Sequence, residues 1–248
     1  MDSLGDRMKR YERPFQTRLI PRTPVIVRVD GRAFHTFCRK HEVHKPFDAV
    51  LMGCMNLASE AVAKQMQGFC AFYTQSDEAS FLLSDFRRHE SQGWFDYELQ
   101  KVVSITASSF TAVFNRRFGA FGASDATFDA RAFSIPEDDV INYFLWRAKD
   151  WERNSIQMYA RAFFSHKELN GKNRADMHEM LHSKGKNWTT DLNDQERNGL
   201  FGRADRQKDE ETRTVQSVFG YEKTSIPPSY KEIADFINPT LEREEEDE

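Results

Sequence analysis

The chain has 248 residues, of which 39% are apolar and 30% charged, with 21 phenylalanines and a formal net charge of −4; this fits one large domain, or one domain with an appendage. No apolar run reaches the ~20 residues that a membrane span needs, and no basic-then-apolar signal segment opens the chain. The three cysteines, Cys38, Cys54 and Cys70, show neither metal nor disulfide spacing, so a reducing cytoplasm is expected.

Asp2 to Glu12 predicts a short charged helix ended by Arg13-Pro14, either packed on the surface or set near the active site or a partner subunit. Val25 to Val29 is a mostly apolar strand running into Asp30 and Gly31, and a loop to His44 follows. From Pro46, Leu51, Met55, Ala58, Val62 and Met66 recur at helical spacing up to Gly68. Phe69 to Tyr73 and Ala79 to Leu83 are strands joined by the reversal Thr74 to Glu78. A second long helix spans Trp94 to Phe118, with an apolar stripe that includes Leu99, Val102, Thr106, Phe110 and Val113. Thr127 to Ile135 is the fourth strand, and Ser134-Ile135-Pro136-Glu137 reads as a capping box opening a third helix that runs to Phe164. Beyond Ser165 the chain turns polar, and cations from Lys167 to Arg206 interleave with Trp188 and Phe201, as in a solvated region or an RNA-facing surface. Ser229 caps a last short helix. The final seven residues, Glu242 to Glu248, carry −5, which leaves the rest near +1; RNA binding then depends on local cationic stripes.

The predicted order is β-α-β-β-α-β, the ferredoxin-like plan. The fold class is therefore α/β (α+β): a palm-like antiparallel sheet with flanking helices and a C-terminal helical and loop extension. The division expected is a catalytic domain over 1–164, an extension over 165–241 packed on or beside it, and a disordered acidic tail over 242–248. In this plan the first and third strands are central neighbours, so Asp30 and Asp77 face each other across roughly one strand spacing, ~5 Å. Carboxylates that close repel unless cations sit between them. Mg²⁺ takes oxygen ligands, commonly one or two carboxylates with substrate phosphates, and two such ions ~4 Å apart serve in-line phosphoryl transfer. Asp77 and Glu78 are adjacent on the strand, so their side chains point to opposite faces; Asp77 ranks first. Gly31 admits close backbone approach, and the amides of Gly31 to His35 could form a phosphate nest. Lys45 precedes a helix N-terminus and reads either as solvated or as a phosphate ligand.

Val27-Arg28-Val29-Asp30-Gly31-Arg32-Ala33-Phe34-His35, His44-Lys45-Pro46 and Tyr73-Thr74-Gln75-Ser76-Asp77-Glu78 resemble the signatures of the tRNA-His guanylyltransferase family, and the resemblance runs to about Arg203. The opening Leu4 to Glu12 is closer to its 3′-to-5′ RNA polymerase branch, which repairs tRNA 5′ ends. The resemblance implies two Mg²⁺ held by Asp30, Gly31 and Asp77, with Glu78 as a further catalytic acid. It places Gly31, Arg32, Ala33, Phe34, His35, Lys45, Ser76 and Lys101 at the nucleotide triphosphate, although Lys101 alone reads as a solvated helix residue. Arg28, Asn154, Asn198 and Arg203 are its candidates for RNA or for the activating nucleotide. It further implies ATP and GTP or other NTPs as substrates, tRNA as partner, and a homotetramer. Eukaryotic members carry a histidine where this chain has Glu152, which favours templated repair over dedicated guanylylation of tRNA-His.

Three rival readings stay open. The same two-acid palm would serve a purine-nucleotide cyclase. His178-Glu179-Met180-Leu181-His182 matches a zinc-peptidase pattern, with Trp188 where the long form of the motif has its third ligand. An RNA chaperone without catalysis is the third.

Overall fold

Along the first strand Val25, Val27 and Val29 alternate with Ile26, Arg28 and Asp30, and this alternation assigns each residue to one of two layers. The structure is a computed structural model and describes residues 3–122, 124–208 and 215–243. Six strands, β1 (Val25–Gly31), β2 (Phe69–Gln75), β3 (Glu78–Leu83), β4 (Phe128–Ser134), β5 (Leu200–Lys208) and β6 (Val215–Thr224), form one sheet in the order β4-β1-β3-β2-β5-β6. Every pairing is antiparallel. The expected central pair is present, with Val25 opposite Leu83 and Asp30 opposite Glu78.

Helix α1 (Leu4–Glu12) leads into the sheet, and α2 (Phe34–Lys40) lies in the stretch expected as loop. The crossover helix is α3 (Ala49–Ala63), capped by Asp48, whose carboxylate accepts from the Leu51 amide at 2.8 Å. With α4 (Leu99–Phe118) it covers one sheet face, where Val27, Val29, Phe72 and Phe81 meet Phe110, Phe114 and Phe34 in a closed aromatic core. Across the sheet, α5 (Val140–Arg161) sets Tyr143, Phe144 and Ala148 on Ile26, Tyr73 and Leu82.

The remaining helices are α6 (His166–Leu169), α7 (Arg174–Ser183), α8 (Trp188–Asp191), α9 (Asp194–Asn198) and α10 (Tyr230–Ile237). A third apolar cluster joins Trp151, Ile156 and Tyr159 of α5 to Met177, Leu181 and Trp188.

Two expectations are corrected here. Ser134 caps nothing: it ends β4 and its hydroxyl accepts from the Ile20 amide at 2.9 Å, while α5 starts at Val140 after a short 3-10 turn. The segment after residue 165 is not only helix and loop, because β5 adds to the sheet beside β2 and β6 beside β5. Gly199 lets β5 begin there: its φ is +74°, and a Cβ would lie 2.6 Å from the Tyr73 hydroxyl. Residues 244–248 of the acidic tail lie outside the described residues.

Candidate active site

The end of β1 and the β2–β3 turn are bonded to each other. The Gly31 amide donates to the Asp77 carbonyl at 3.1 Å, and Ser76 takes a left-handed φ of 47° to make the reversal. A Cβ on Gly31 would meet the Phe34 ring at 2.5 Å and Asp77 Oδ2 at 2.7 Å, so only glycine allows this approach. Asp30 and Asp77 thus converge, and both line one hollow of about 380 Å³. Burial pushes the Asp77 carboxyl up to about 6, against the Ser76 hydrogen bond that lowers it, and the charge of Asp30 adds to the rise.

Ser76 and Asp77 also line a second, larger cleft of about 530 Å³. His35 and Lys45 stand at it, Phe47, Leu51, Met52 and Met55 supply apolar wall, and Trp151, Met158 and Arg161 of α5 border both spaces. The phosphate nest expected over Gly31 to His35 is narrower than predicted. The Gly31 and Arg32 amides are spent on the Asp77 and Thr127 carbonyls. Beyond them, Ala33 (φ 50°) opens α2; the Thr36 and Phe37 amides already donate to the Ala33 carbonyl, which leaves the Phe34 and His35 amides at the helix start. Phe34 itself is a core residue, stacked on Phe37 with ring centroids 5.0 Å apart. Arg32 is exposed and lines neither space.

Glu78 is held differently from the metal-assisting acid expected. Arg147 Nε and Nη2 donate to its two carboxylate oxygens, each at 2.7 Å, in a buried bidentate pair. Glu78 lines the smaller hollow with Asp30 and Asp77, and its carboxylate also ties the hairpin to α5. Arg28 lies on the same face, its Nε 4.0 Å from Glu78 Oε2 and without a hydrogen-bond partner. Asn154 lines the smaller hollow, and its amide donates to Asp150.

Three candidates are not brought to this place. Lys101 sits at the start of α4, by the Thr17 end of the sheet, and pairs with Glu98 at 3.1 Å. Arg203 is tied to Glu222 and to the Phe236 carbonyl, and it stacks on the Phe236 ring at 4.6 Å. Asn198 is buried and lends its carbonyl to the Tyr73 hydroxyl at 2.9 Å. Trp188 and Phe201, expected on an RNA-facing surface, are 5% and 0% exposed and belong to the core.

The sequence reading missed the α5 stripe Arg147, Trp151, Met158 and Arg161. Its signal was present in the spacing of four, seven and three residues, one helix face, but a helix face alone does not announce what it points at.

The zinc pattern does not assemble. His178 packs edge-to-face on Trp188 with centroids 5.8 Å apart, Glu179 and His182 are exposed, and among the described residues no three His, Cys, Asp or Glu side chains group as metal ligands. Asp30, Asp77 and the Gly31 carbonyl offer hard oxygen donors that suit Mg²⁺ completed by substrate phosphates. Arg131 reaches Asp30 Oδ2 at 3.9 Å, while burial, with a smaller share from Asp30, holds the Asp77 carboxyl up; a divalent cation between the two acids would offset that cost.

Residues 5–136 match the family model described as tRNAHis guanylyltransferase. The tRNA(His) guanylyltransferase of Schizosaccharomyces pombe is 32% identical over 192 residues, 71% of either chain. The tRNA(His) guanylyltransferase 2 of Arabidopsis thaliana is 33% identical over 156 residues, which span 60% of this chain and only 28% of that protein. A bacterial tRNA(His) guanylyltransferase-like protein solved with ATP superposes with a TM-score of 0.84 at 36% identity, over 96% of this chain and 99% of that one. A bacterial protein of the same description solved with GTP gives 0.80 at 34% identity, over 97% and 99%. Signatures, sheet order and relatives point the same way along nearly the whole length, and the chain belongs to the tRNAHis guanylyltransferase family.

Proposed function

We propose that the chain is a nucleotidyltransferase that adds nucleotides in the 3′-to-5′ direction to the 5′ end of tRNA, with template-dependent repair of 5′-truncated tRNA as its main task. The observation that carries this reading is the convergence of Asp30 and Asp77 around Gly31, beside a cleft large enough for a nucleotide. Two Mg²⁺, held by Asp30, the Gly31 carbonyl and Asp77, would supply activation of a hydroxyl nucleophile and neutralisation of charge on the transferred phosphoryl group.

The remaining roles fall to the protein. Lys45, Ser76 and the Phe34 and His35 amides at the start of α2 hold the triphosphate of the incoming nucleotide, and the wall of Phe47, Leu51, Met52 and Met55 takes its base. Arg161 borders both spaces and places a cation between the incoming nucleotide and the tRNA end. A tRNA 5′-monophosphate is first activated with ATP, releasing pyrophosphate. The 3′-hydroxyl of the incoming NTP then attacks the tRNA 5′ α-phosphate and displaces AMP; a 5′-triphosphate end is used directly, with loss of pyrophosphate. Positioning and electrostatics do most of this work.

The relatives' names support tRNA as acceptor, and the bacterial complexes support ATP and GTP as ligands. Glu152 supports repair over dedicated guanylylation: it lines neither space and pairs with Arg174 of α7 at 2.5 Å, a structural tie where eukaryotic members have histidine.

The test is 5′-truncated, 5′-labelled tRNA incubated with Mg²⁺, ATP and each NTP in turn. Extension by the nucleotide complementary to the 3′ strand is expected. Asp30→Ala and Asp77→Ala should each abolish extension while tRNA retention on a filter persists. Turnover by either variant, or cyclic nucleotide formed without tRNA, would overturn the assignment.

A further inference from the structure

Asn56 follows Met52 by four residues on α3 and shares its face, so a polar amide stands in the apolar wall of the larger cleft. Asparagine forms helix less readily than the methionine and leucine beside it, and its place in the middle of α3 needs a reason. Half of the amide is fixed. The hydroxyl of Thr74 on β2, itself 2% exposed, donates to Asn56 Oδ1 at 2.9 Å. The other half, Nδ2, has no partner among the described residues and is open to solvent. Thr74 thus turns Asn56 into a group that presents N–H donors to the cleft and no acceptor.

The polar groups around it are committed or unfixed. Asp48 accepts from the Leu51 amide at 2.8 Å and the His44 amide at 3.0 Å, and His44 Nδ1 meets the Phe47 carbonyl at 2.9 Å. Gln195 has no side-chain tie among the described residues, so its amide turns to offer either group. Asn56 is the amide on this wall whose hydrogen-bonding sense is set in advance.

A donor of fixed sense restricts which edge of a base it can meet. In templated addition the pairing edge of the incoming base belongs to the template strand, which leaves two edges. On the major-groove edge guanine, adenine and uracil offer an acceptor but cytosine only an amino donor. On the minor-groove edge all four bases offer an acceptor, N3 of a purine or O2 of a pyrimidine. A site that admits every base and holds it with a donor therefore suits the minor-groove edge.

We propose that Asn56 Nδ2 holds the incoming nucleotide by donating to purine N3 or pyrimidine O2, with Thr74 as the positioning residue that fixes the amide. This role rests on the reading of the cleft as the seat of that nucleotide.

The test is equilibrium dialysis of the full chain against ATP, 3-deaza-ATP and 7-deaza-ATP with Mg²⁺ and no tRNA. The wild type holds 3-deaza-ATP about tenfold more weakly than ATP, because one hydrogen bond is lost and its donor is left facing a C–H, and holds 7-deaza-ATP like ATP. Asn56→Asp keeps the shape and the Thr74 contact but turns donors into an acceptor; it binds ATP about tenfold more weakly and no longer distinguishes it from 3-deaza-ATP. Asn56→Leu/Thr74→Val removes both members of the pair, leaves no buried hydroxyl unsatisfied, keeps its circular dichroism melt and binds the two nucleotides alike. In templated single-nucleotide extension, Asn56→Asp raises KM by a similar factor for all four NTPs and leaves kcat in place, as loss of uniform binding does.

Equal affinity of the wild type for ATP and 3-deaza-ATP, with templated extension intact, overturns the role of Asn56 alone. So does a KM effect confined to one base, or a loss with 7-deaza-ATP that Asn56→Asp abolishes, which would assign the amide to the major-groove edge. A wild type that binds none of the three nucleotides overturns this role together with the assignment of the cleft.

Discussion

Gly31 is the position at which two distant segments become one site. A methyl group there would collide with the Phe34 ring and with the Asp77 carboxylate, neither of which is the end of a free side chain. Gly31→Ala is therefore expected to cost ~1–3 kcal/mol in urea unfolding, as overpacking does, and to lose nucleotide addition beyond what that loss of stability explains. Asp77 carries the second prediction at this scale. Its folded pKa of about 6 lies above the ordinary carboxylate value, chiefly through burial. The charged form is therefore the disfavoured one, and its cost is absent below pH ~4 and complete above about 6. In EDTA, Asp77→Asn should raise the melting temperature at pH 8, by an amount that shrinks to nothing by pH 4. A gain independent of pH would assign the effect to packing. The two aspartates were legible because a strand ending in an acid and glycine limits where the acid can go. Lys101 and Arg203 were not, since a cation on a helix or an outer part of the sheet carries no mark of which end of the sheet it occupies.

At the scale of elements, the information sits in how α5 crosses the sheet. Its apolar side is legible as a period, and Tyr143, Phe144 and Ala148 land where that period requires. Its polar contacts depend on tertiary register: Arg147 meets Glu78 because Glu78 faces the same layer as Asp30, opposite it on β1. The Glu78–Arg147 pair is buried, so removing Arg147 leaves the Glu78 carboxylate without its two hydrogen bonds and with only Arg28, 4.0 Å away, as a counter-charge. Arg147→Ala should lose ~3–5 kcal/mol, whereas Glu78→Leu/Arg147→Met should recover most of that, because a buried ion pair costs desolvation that apolar replacements do not. Chemical denaturation of the single and double variants checks this; equal losses in both would show that the pair contributes more than charge compensation. The same register problem hid β5. Leu200 to Lys208 offers few apolar side chains, and its place in the sheet follows from backbone pairing with β2 rather than from a pattern of its own.

For the molecule as a whole, what matters is whether the palm closes without the chain that follows it. All seven residues of β2 are buried, which an edge strand of a sheet cannot manage on its own. Beyond residue 165, Phe201 fills the space between Tyr73 and Phe144, the Asn198 carbonyl receives the Tyr73 hydroxyl, and Ile233, Phe236 and Ile237 of α10 complete that layer. A second debt lies along α5, where Trp151, Ile156 and Tyr159 depend on Met177, Leu181 and Trp188. A fragment ending at residue 164 would bare both clusters together with the hydrogen-bonding edge of β2, the combination that promotes association through strand edges. The expectation is that residues 1–164 alone bind a hydrophobic dye and lack a cooperative thermal transition, while residues 1–243 melt as the full chain does. A folded, monomeric 1–164 would instead make the strand pair β5–β6 an accessory, and the β2–β5 pairing would then contribute to substrate handling rather than to the integrity of the sheet.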